Sequence, residues 1–303
     1  MALSREYILQ TGSVVKLQTA PIDPRDLFRG DFVRLRYAMS QVPGTLLAGE
    51  LQARVLKKGE VLYAALETSA SGLATVTSIH GTPPADGSRF IKGRLSNDWH
   101  PASNQVLQIK FGIEQYFVEQ GKGLEIENRR GRRNDIQVPM IMQVALSEDG
   151  TAIIKGHEWS KLGIGLSVKQ QPERDALPET ASATFQLVLK NLGDDNLQLP
   201  IKPGTCSFSI ISIVSAPKVI RRKARSCDSQ QVVIQVLPPG ESLDLLFDFN
   251  DVQWYVDFED KPTPLGKLPW SYRFRIIYDE VDETEIIGSE IVSRAFHGRG
   301  QVD

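Results

Sequence analysis

Residues able to carry catalytic, metal-binding or phosphate-binding chemistry are scattered along this sequence of 303 residues. There is no H-x-x-x-H pair of the kind that binds zinc, and no G-x-S-x-G motif that would supply a serine nucleophile. Gly121-Lys122-Gly123 does not match a phosphate-binding loop. We therefore expect no metal, no cofactor and no enzymatic activity. We expect the histidines to lie on the surface or in turns: His80, His100, His157 and His297.

The two cysteines, Cys206 and Cys227, are too few for a disulfide-stabilised scaffold and too few for an all-cysteine zinc site. Two alternatives remain for them, a pair of buried thiols or a single disulfide. A disulfide would close a loop and contribute roughly 3 kcal/mol on the chain-entropy model. Both cysteines lie in strand-like segments, so we expect neither to be a nucleophile.

The stretch RGDFVRLRY, residues 29–37, has the pattern of a turn that leads into a strand. Gly30 can adopt a positive φ, and Asp31 can accept a backbone N–H within the turn. In a strand, side chains alternate between the two faces, so Leu35 and Tyr37 are expected to face the core. We regard these four residues as a structural motif rather than a catalytic one.

Several basic and aromatic residues are candidates for contact with a partner. Arg34 and Arg36 would project from the exposed face of the strand and offer a two-arginine fork to a carboxylate. Two further arginine runs either protect solvated edges or form a patch for an acidic partner or anionic headgroups. Trp254 is either a contact residue or the core tryptophan of its domain. The candidate partner-binding residues are Arg34, Arg36, Arg129, Arg130, Arg221, Arg222 and Trp254.

The elements that must position these residues are mostly short strands with alternating polarity, separated by turns rich in Gly, Pro and Asp. Before residue 160 the one helical pattern is a short polar stretch, GLEIENRRGRR. After residue 180, ATFQLVLK places Phe185, Leu187 and Leu189 on one face. We predict a mainly β protein. Its parts would be a β-rich domain, barrel-like or sandwich, at 1–167, a linker at 168–180, and an Ig-like antiparallel β-sandwich at 181–303.

Composition limits the classes of partner. Hydrophobic residues make up 41% and charged residues 24% of the chain, as in a folded soluble protein. The formal net charge is −2, so no overall field attracts nucleic acid, and we expect none as a partner. No apolar run reaches the roughly 18 residues that span a bilayer. The start, MALSREYILQTG, lacks the apolar region of a signal peptide.

GDFVRLRY, residues 30–37, resembles the pattern that gives the bacterial GDYXXLXY family its name, with Phe32 in place of the first tyrosine. Three further blocks resemble the same family: LQTAPIDPRDLFRGD, GTPPADGSRFIKGR and FGIEQYFVEQGKGLEIE. The resemblance covers about residues 10–160. It implies a domain of unknown activity, often tethered by an N-terminal hydrophobic segment, and it supplies no catalytic residues. The C-terminal part is similar to bacterial Ig-like modules in its general pattern only.

These observations predict a non-enzymatic protein-interaction or assembly module in a bacterial envelope- or membrane-associated complex. We expect a protein partner, and we expect no small-molecule substrate. The resemblance implies an extracytoplasmic or membrane-anchored location, with association through an N-terminal anchor. The alternative location is cytoplasmic. The alternative function is a peptidase-like hydrolase whose catalytic residues are dispersed along the chain.

Overall fold

A computed structural model of the chain describes residues 2–20, 32–69, 72–101, 106–119, 122–131, 135–171, 183–213, 220–221, 227, 230–249, 253–278 and 291–303. The described elements are mainly β-strands arranged in open antiparallel sheets, so the prediction of a mainly β protein is confirmed. The described residues form two compact units. Unit 1 contains Met1–Glu127 and Pro139–Trp159. Unit 2 contains Asn128–Val138, Ser160–Asp282 and Ile291–Asp303.

Unit 1 begins with a helix, α1 (Ala2–Thr11), followed by ten strands. The strands are β1 (Ser13–Gln18), β2 (Phe32–Arg34), β3 (Gln41–Val42), β4 (Val61–Thr68), β5 (Ala74–His80), β6 (Arg89–Leu95), β7 (Leu107–Lys110), β8 (Gln115–Phe117), β9 (Met140–Leu146) and β10 (Ala152–Trp159). Short 3-10 helices lie at Ala38–Ser40, Gly44–Leu46 and Gly49–Ala53. The second helix, α2 (Lys122–Arg130), contains the point at which the chain passes from unit 1 to unit 2.

The strands of unit 1 form three sheets, in the orders β1-β9-β10, β2-β8 and β3-β7-β6-β4-β5. Their inward side chains share one hydrophobic core, in which Leu17, Tyr37 and Met142 are completely buried. Helix α1 was not predicted. Its Ile8 packs against Ala145 and Ile153 on the other side of β9 and β10, so a contact distant in sequence supports the helix.

Unit 2 contains the remaining strands. They are β11 (Leu162–Gln170), β12 (Thr184–Asn191), β13 (Leu197–Ile201), β14 (Phe208–Ser212), β15 (Ile220–Arg221), β16 (Val233–Leu237), β17 (Ser242–Asp248), β18 (Trp254–Phe258), β19 (Lys261–Pro264), β20 (Phe274–Tyr278), β21 (Ile291–Val292), β22 (Phe296–His297) and β23 (Gln301–Val302). A 3-10 helix lies at Leu265–Lys267.

The sheets of unit 2 run β11-β12-β17, β13-β16, β15-β18-β19 and β14-β20-β22-β23, with β21 beside β20. Strand β12 alternates strictly, and its Phe185, Leu187 and Leu189 are all completely buried. The core is rich in aromatic rings: the ring of Phe249 stacks on that of Phe296 with centroids 4.7 Å apart, and Phe185 lies 5.2 Å from both. Burying each of these rings contributes roughly 1.5–3 kcal/mol.

The segment predicted as a linker, 168–180, begins within strand β11. Val168 pairs with Phe185, and Gln170 pairs with Thr184. Apolar side chains fall at every second position from Leu162 to Val168, and the buried Ile164 and Leu166 hold the strand in the sheet. Residues 172–180 lie outside the described residues.

Candidate functional site

The motif strand β2 and its continuation separate apolar from charged side chains. Leu35 and Tyr37 are buried, 4% and 0% exposed respectively, whereas Arg34 and Arg36 are exposed. Strand β2 pairs with β8, and beyond the end of the pairing the backbone N–H of Leu35 donates to the carbonyl of Glu114 at 2.8 Å. Gly30 and Asp31, the expected turn, lie outside the described residues.

Tyr37 fixes the position of the motif from inside the core. Its hydroxyl donates to the backbone carbonyl of Ile113 at 2.8 Å, which satisfies a polar group that would otherwise be buried without a partner. Burial raises the pKa of Tyr37 well above its ordinary value, and the charge of Glu114 raises it further. The phenol therefore stays neutral and has a structural role.

The turn that leads into β8 is held by one carboxylate. Glu114 accepts hydrogen bonds from the backbone N–H groups of Phe111, at 2.5 Å, and Gly112, at 3.0 Å. Gly112 has a φ of +80°, a conformation that favours glycine. This arrangement fixes where β8 begins, and therefore where the side chains of β8 lie opposite the motif strand.

The outward face of the β2-β8 pair carries two aromatic rings and a cationic side chain. Phe32 lies directly opposite Phe117, with ring centroids 5.9 Å apart, and Arg34 lies opposite Gln115. Phe117 is 71% exposed, the highest value among the large hydrophobic side chains that are described. We call these four residues the motif face. Phe32, which replaces the first tyrosine of the family pattern, contributes a ring to this face.

Phe117 was not among the candidates derived from the sequence. A signal was present, however, because alternation in QYF places Phe117 on the face opposite Tyr116. The burial pattern of β8 agrees, since Tyr116 is half-buried and its two neighbours are exposed.

The inner face of the same pair meets a histidine. The Tyr116 hydroxyl and His157 Nδ1 are hydrogen-bonded at 3.1 Å, and the imidazole makes edge-to-face contacts with the rings of both Tyr116 and Trp159. Burial raises the pKa of Tyr116. His157 is thus half-buried within a strand, and the expectation of a surface or turn histidine is wrong at this position. His297 also departs from that expectation, because it is completely buried.

The arginine runs are only partly described. Arg129 is exposed in the last turn of α2, where a cation interacts favourably with the helix dipole. Arg130 is half-buried, and its carbonyl accepts a hydrogen bond from the N–H of Val138. Arg221 pairs with Trp254 through the backbone of β15 and β18, while Arg222 lies outside the described residues.

Trp254 does not lie on the surface. Its side chain is 3% exposed and belongs to the core of unit 2, because β18 directs Trp254 and Val256 inward. The exposed tryptophan of this unit is Trp270, at 52%. Its ring stacks on the buried imidazole of His297 with centroids 4.4 Å apart, and the guanidinium of Arg299 lies 5.8 Å from its centroid.

His297 is held as a neutral imidazole. Its Nδ1 accepts a hydrogen bond from the N–H of Arg299 at 3.0 Å, so the proton is on Nε2, which donates to the carbonyl of Pro269 at 2.9 Å. Burial lowers the pKa of His297, and the charges of Arg273 and Arg299 lower it further. With both nitrogens engaged, this histidine stabilises the strand ends around it.

The structure pairs Cys206 with Cys227 in a disulfide, with Cα atoms 5.5 Å apart. The sequence left open a pair of buried thiols or a disulfide, and the structure contains the disulfide.

Within the described ranges, no cluster of three or more His, Cys, Asp or Glu side chains is arranged to bind a metal ion. Neither described helix has the length and apolar character needed to cross a membrane.

Comparison with known proteins gives one family. The model of the GDYXXLXY protein family matches residues 1–156, which include the motif strand, β8 and most of β10. No curated protein shows significant similarity to the chain. Since the match covers more than half of the sequence, the chain belongs to the GDYXXLXY protein family.

Proposed function

We propose that this protein is a non-enzymatic protein-interaction module that binds a protein partner through the motif face. The observation that carries the proposal is the exposure of Phe117, whose ring is 71% exposed although its strand is fixed by backbone pairing. Exposed aromatic rings on rigid elements are typical of the central contacts of interfaces, because little conformational entropy is lost when they bind.

The charge of the motif face favours a particular chemistry in the partner. Arg34 lies on the same face as Phe32 and Phe117, and Arg36 is exposed two residues further along the chain. Arginine binds carboxylates in a bidentate geometry and also packs against aromatic rings. An acidic segment that contains an apolar or aromatic residue therefore fits this surface.

The disulfide supports the part of the proposal that concerns location. Disulfides persist in oxidising compartments and are rare in the cytosol. The bond between Cys206 and Cys227 thus favours an extracytoplasmic place in an envelope- or membrane-associated complex. In this proposal unit 2 is a scaffold similar to bacterial Ig-like sandwiches. Its antiparallel sheets, which surround one core rich in aromatic rings, support this view.

The test compares three variants in a quantitative pull-down that uses the full chain as bait. Phe117→Ala and the double variant Arg34→Glu with Arg36→Glu are expected to reduce retention of a stoichiometric partner at least about tenfold. Tyr7→Ala is the matched control, because Tyr7 is an aromatic residue with similar exposure, 68%, in α1, which contributes no residue to the motif face. Undiminished retention by both Phe117→Ala and the double arginine variant would contradict the proposal.

One hydrogen bond favours a second candidate function, a peptidase-like hydrolase. Ser78 Oγ and His80 Nε2 are 2.8 Å apart on β5, the geometry in which a histidine activates a serine nucleophile.

A fluorophosphonate probe separates the two candidates. A hydrolase should be labelled at Ser78, and labelling should disappear in Ser78→Ala but persist in Ser167→Ala, a control at an exposed serine of β11. If the wild-type chain is not labelled, the hydrolase is excluded as a serine enzyme of this kind.

A further inference from the structure

Strand β16 exposes apolar side chains on both of its faces. The exposed fractions are 50% for Val232, 55% for Val233, 53% for Ile234 and 47% for Val236. Soluble proteins rarely leave several neighbouring branched side chains in water, because each loses the free energy gained by burial. A group of this kind indicates a surface that another polypeptide covers.

The backbone of β16 is paired on one side. Its residues Val233–Leu237 pair with Leu197–Ile201 of β13, and no other described strand pairs with it. An unpaired strand edge presents N–H and C=O groups that can bond to an added strand. A sheet of two strands is also marginally stable in water, so an added strand stabilises it.

The end of β16 is held firmly in unit 2. Asn191 is completely buried, and its Nδ2 donates to the carbonyl of Leu237 at 2.8 Å, while the side chain of Leu237 is itself 3% exposed. Before the strand, the N–H of Gln230 bonds to the carbonyl of Cys227, which belongs to the disulfide. The exposed edge is therefore part of an ordered strand, fixed at both ends.

The edge also lacks the charges that normally prevent strands from adding to one another. Residues 229–240, SQQVVIQVLPPG, contain no Lys, Arg, Asp or Glu, and neither does β13. Leu246 provides a contrast, since it is 61% exposed on β17 but has Asp244 and Asp248 two residues away on either side. Charged neighbours of this kind discourage strand addition, and β16 has none.

We propose that the uncovered edge of β16 pairs with β16 of a second copy of this chain, in an antiparallel arrangement. An uncharged apolar edge is complementary to an identical one, because antiparallel pairing about Ile234 sets Val232 of each copy opposite Val236 of the other. This register sets these three side chains beside those of the other copy on one face of the sheet, where they contact one another, and it keeps each strand's pairing with β13. The two ribbons then form one four-stranded sheet across a two-fold axis.

The first test is the oligomeric state of the full chain by sedimentation velocity, from about 1 µM to about 1 mM. The wild-type chain should form a dimer as concentration rises. Ile234→Lys should weaken dimerisation at least about tenfold, because it places two like charges face to face at the axis. Leu246→Lys is the matched control and should dimerise like the wild type. A wild-type chain that is monomeric throughout, or an Ile234→Lys variant that dimerises normally, overturns the proposal.

A second measurement tests the register and does not depend on how the lysine variant folds. Antiparallel partners have Cα atoms about 4.5–5.5 Å apart, within the range that a disulfide bridges. Ile234→Cys should therefore give a covalent dimer on mild oxidation. Val232→Cys is the control and should not, because Val232 lies opposite Val236 rather than opposite itself. Cross-linking at residue 232 but not at 234, or at neither, overturns this pairing.

Discussion

Among the described residues, two ribbons of two strands can be compared, β2-β8 in unit 1 and β13-β16 in unit 2. In the first, alternation buries Val33 and exposes Arg34. In the second, Ile234 and Val236 are exposed although both are apolar. Charge on a strand discourages the addition of another strand, whereas an apolar edge invites it. The contacts proposed for the two ribbons therefore differ in kind, through side chains in one and through the backbone in the other.

The ribbons also differ in how they are anchored. The first is held by groups inside the core of unit 1, above all the Tyr37 hydroxyl on the carbonyl of Ile113. The second is held at its ends, by Asn191 and by the loop that contains Cys227. The backbone of the first ribbon is thus fixed by internal packing, and that of the second by anchors at its ends.

The largest expected effect comes from breaking the internal anchor of the first ribbon. Tyr37→Ala should lower the free energy of unfolding by about 3–5 kcal/mol, because it leaves a cavity in the core. Tyr37→Phe should cost about 1–3 kcal/mol, since it removes the only side-chain donor described for the carbonyl of Ile113. Ile234→Ala, at an exposed position of the second ribbon, should cost less than about 1 kcal/mol. Urea denaturation measures all three, and equal losses at residues 37 and 234 would remove the contrast between the ribbons.

A smaller effect is expected when the terminal anchor of the second ribbon is removed. Replacing both Cys206 and Cys227 with Ser should destabilise unit 2 by roughly 3 kcal/mol, because the unfolded chain regains loop entropy. Both cysteines of the chain lie in unit 2, so unit 1 serves as the internal control. Hydrogen exchange followed by mass spectrometry should show faster exchange in β16 and little change in β4 and β9. Equal changes in both units would contradict the local role of the disulfide.

The smallest effect concerns the pH dependence of unit 2. Burial, with the charges of Arg273 and Arg299, lowers the pKa of His297 in the folded chain. The unfolded chain therefore binds a proton that the folded chain does not, and stability falls as pH decreases below about 6.5, by at most about 1.4 kcal/mol per pH unit.

His297→Asn should flatten this decline, because the variant keeps an acceptor for the N–H of Arg299 but cannot take up the proton. It should also be less stable than the wild type near pH 8, since the bond to Pro269 is lost. Urea midpoints measured between about pH 5 and about pH 8 test both statements. A variant with the slope of the wild type would show that another group controls the decline.

Local alternation predicted much of the fold. The burial of Phe185, Leu187 and Leu189 follows directly from the period of a strand, as does the mainly β class. Helix α1 was missed because its support is tertiary: Ile8 packs on Ala145 and Ile153, and no local pattern reports such a contact. The span 168–170 was taken for linker because the polar residues that end β11, Lys169 and Gln170, lead directly into a stretch rich in Gln, Pro and charged residues.

The candidate site was predicted in part, for similar reasons. The motif suggested which residues face inward, but the sequence alone did not reveal that β8 lies beside β2, so Phe117 was not recognised. Trp254 and Trp270 could not be distinguished by residue type, and only the three-dimensional packing places one in the core and the other at the surface. The exposed face of β16 was missed because an apolar strand is ordinarily assumed to be buried.

Strand β10 contains a β-bulge, and this bulge affects how the length of the chain can vary. The pairing of β10 with β9 shifts between Ile154, opposite Val144, and Gly156, opposite Gln143, so Lys155 is an extra residue in the ladder. The shift places His157 on the same face as Ile154, where strict alternation would separate them. If Lys155 were deleted, the residues after it, from Gly156 to Trp159, would still pair with the same residues of β9. A family member one residue shorter here could therefore retain the histidine in the same place.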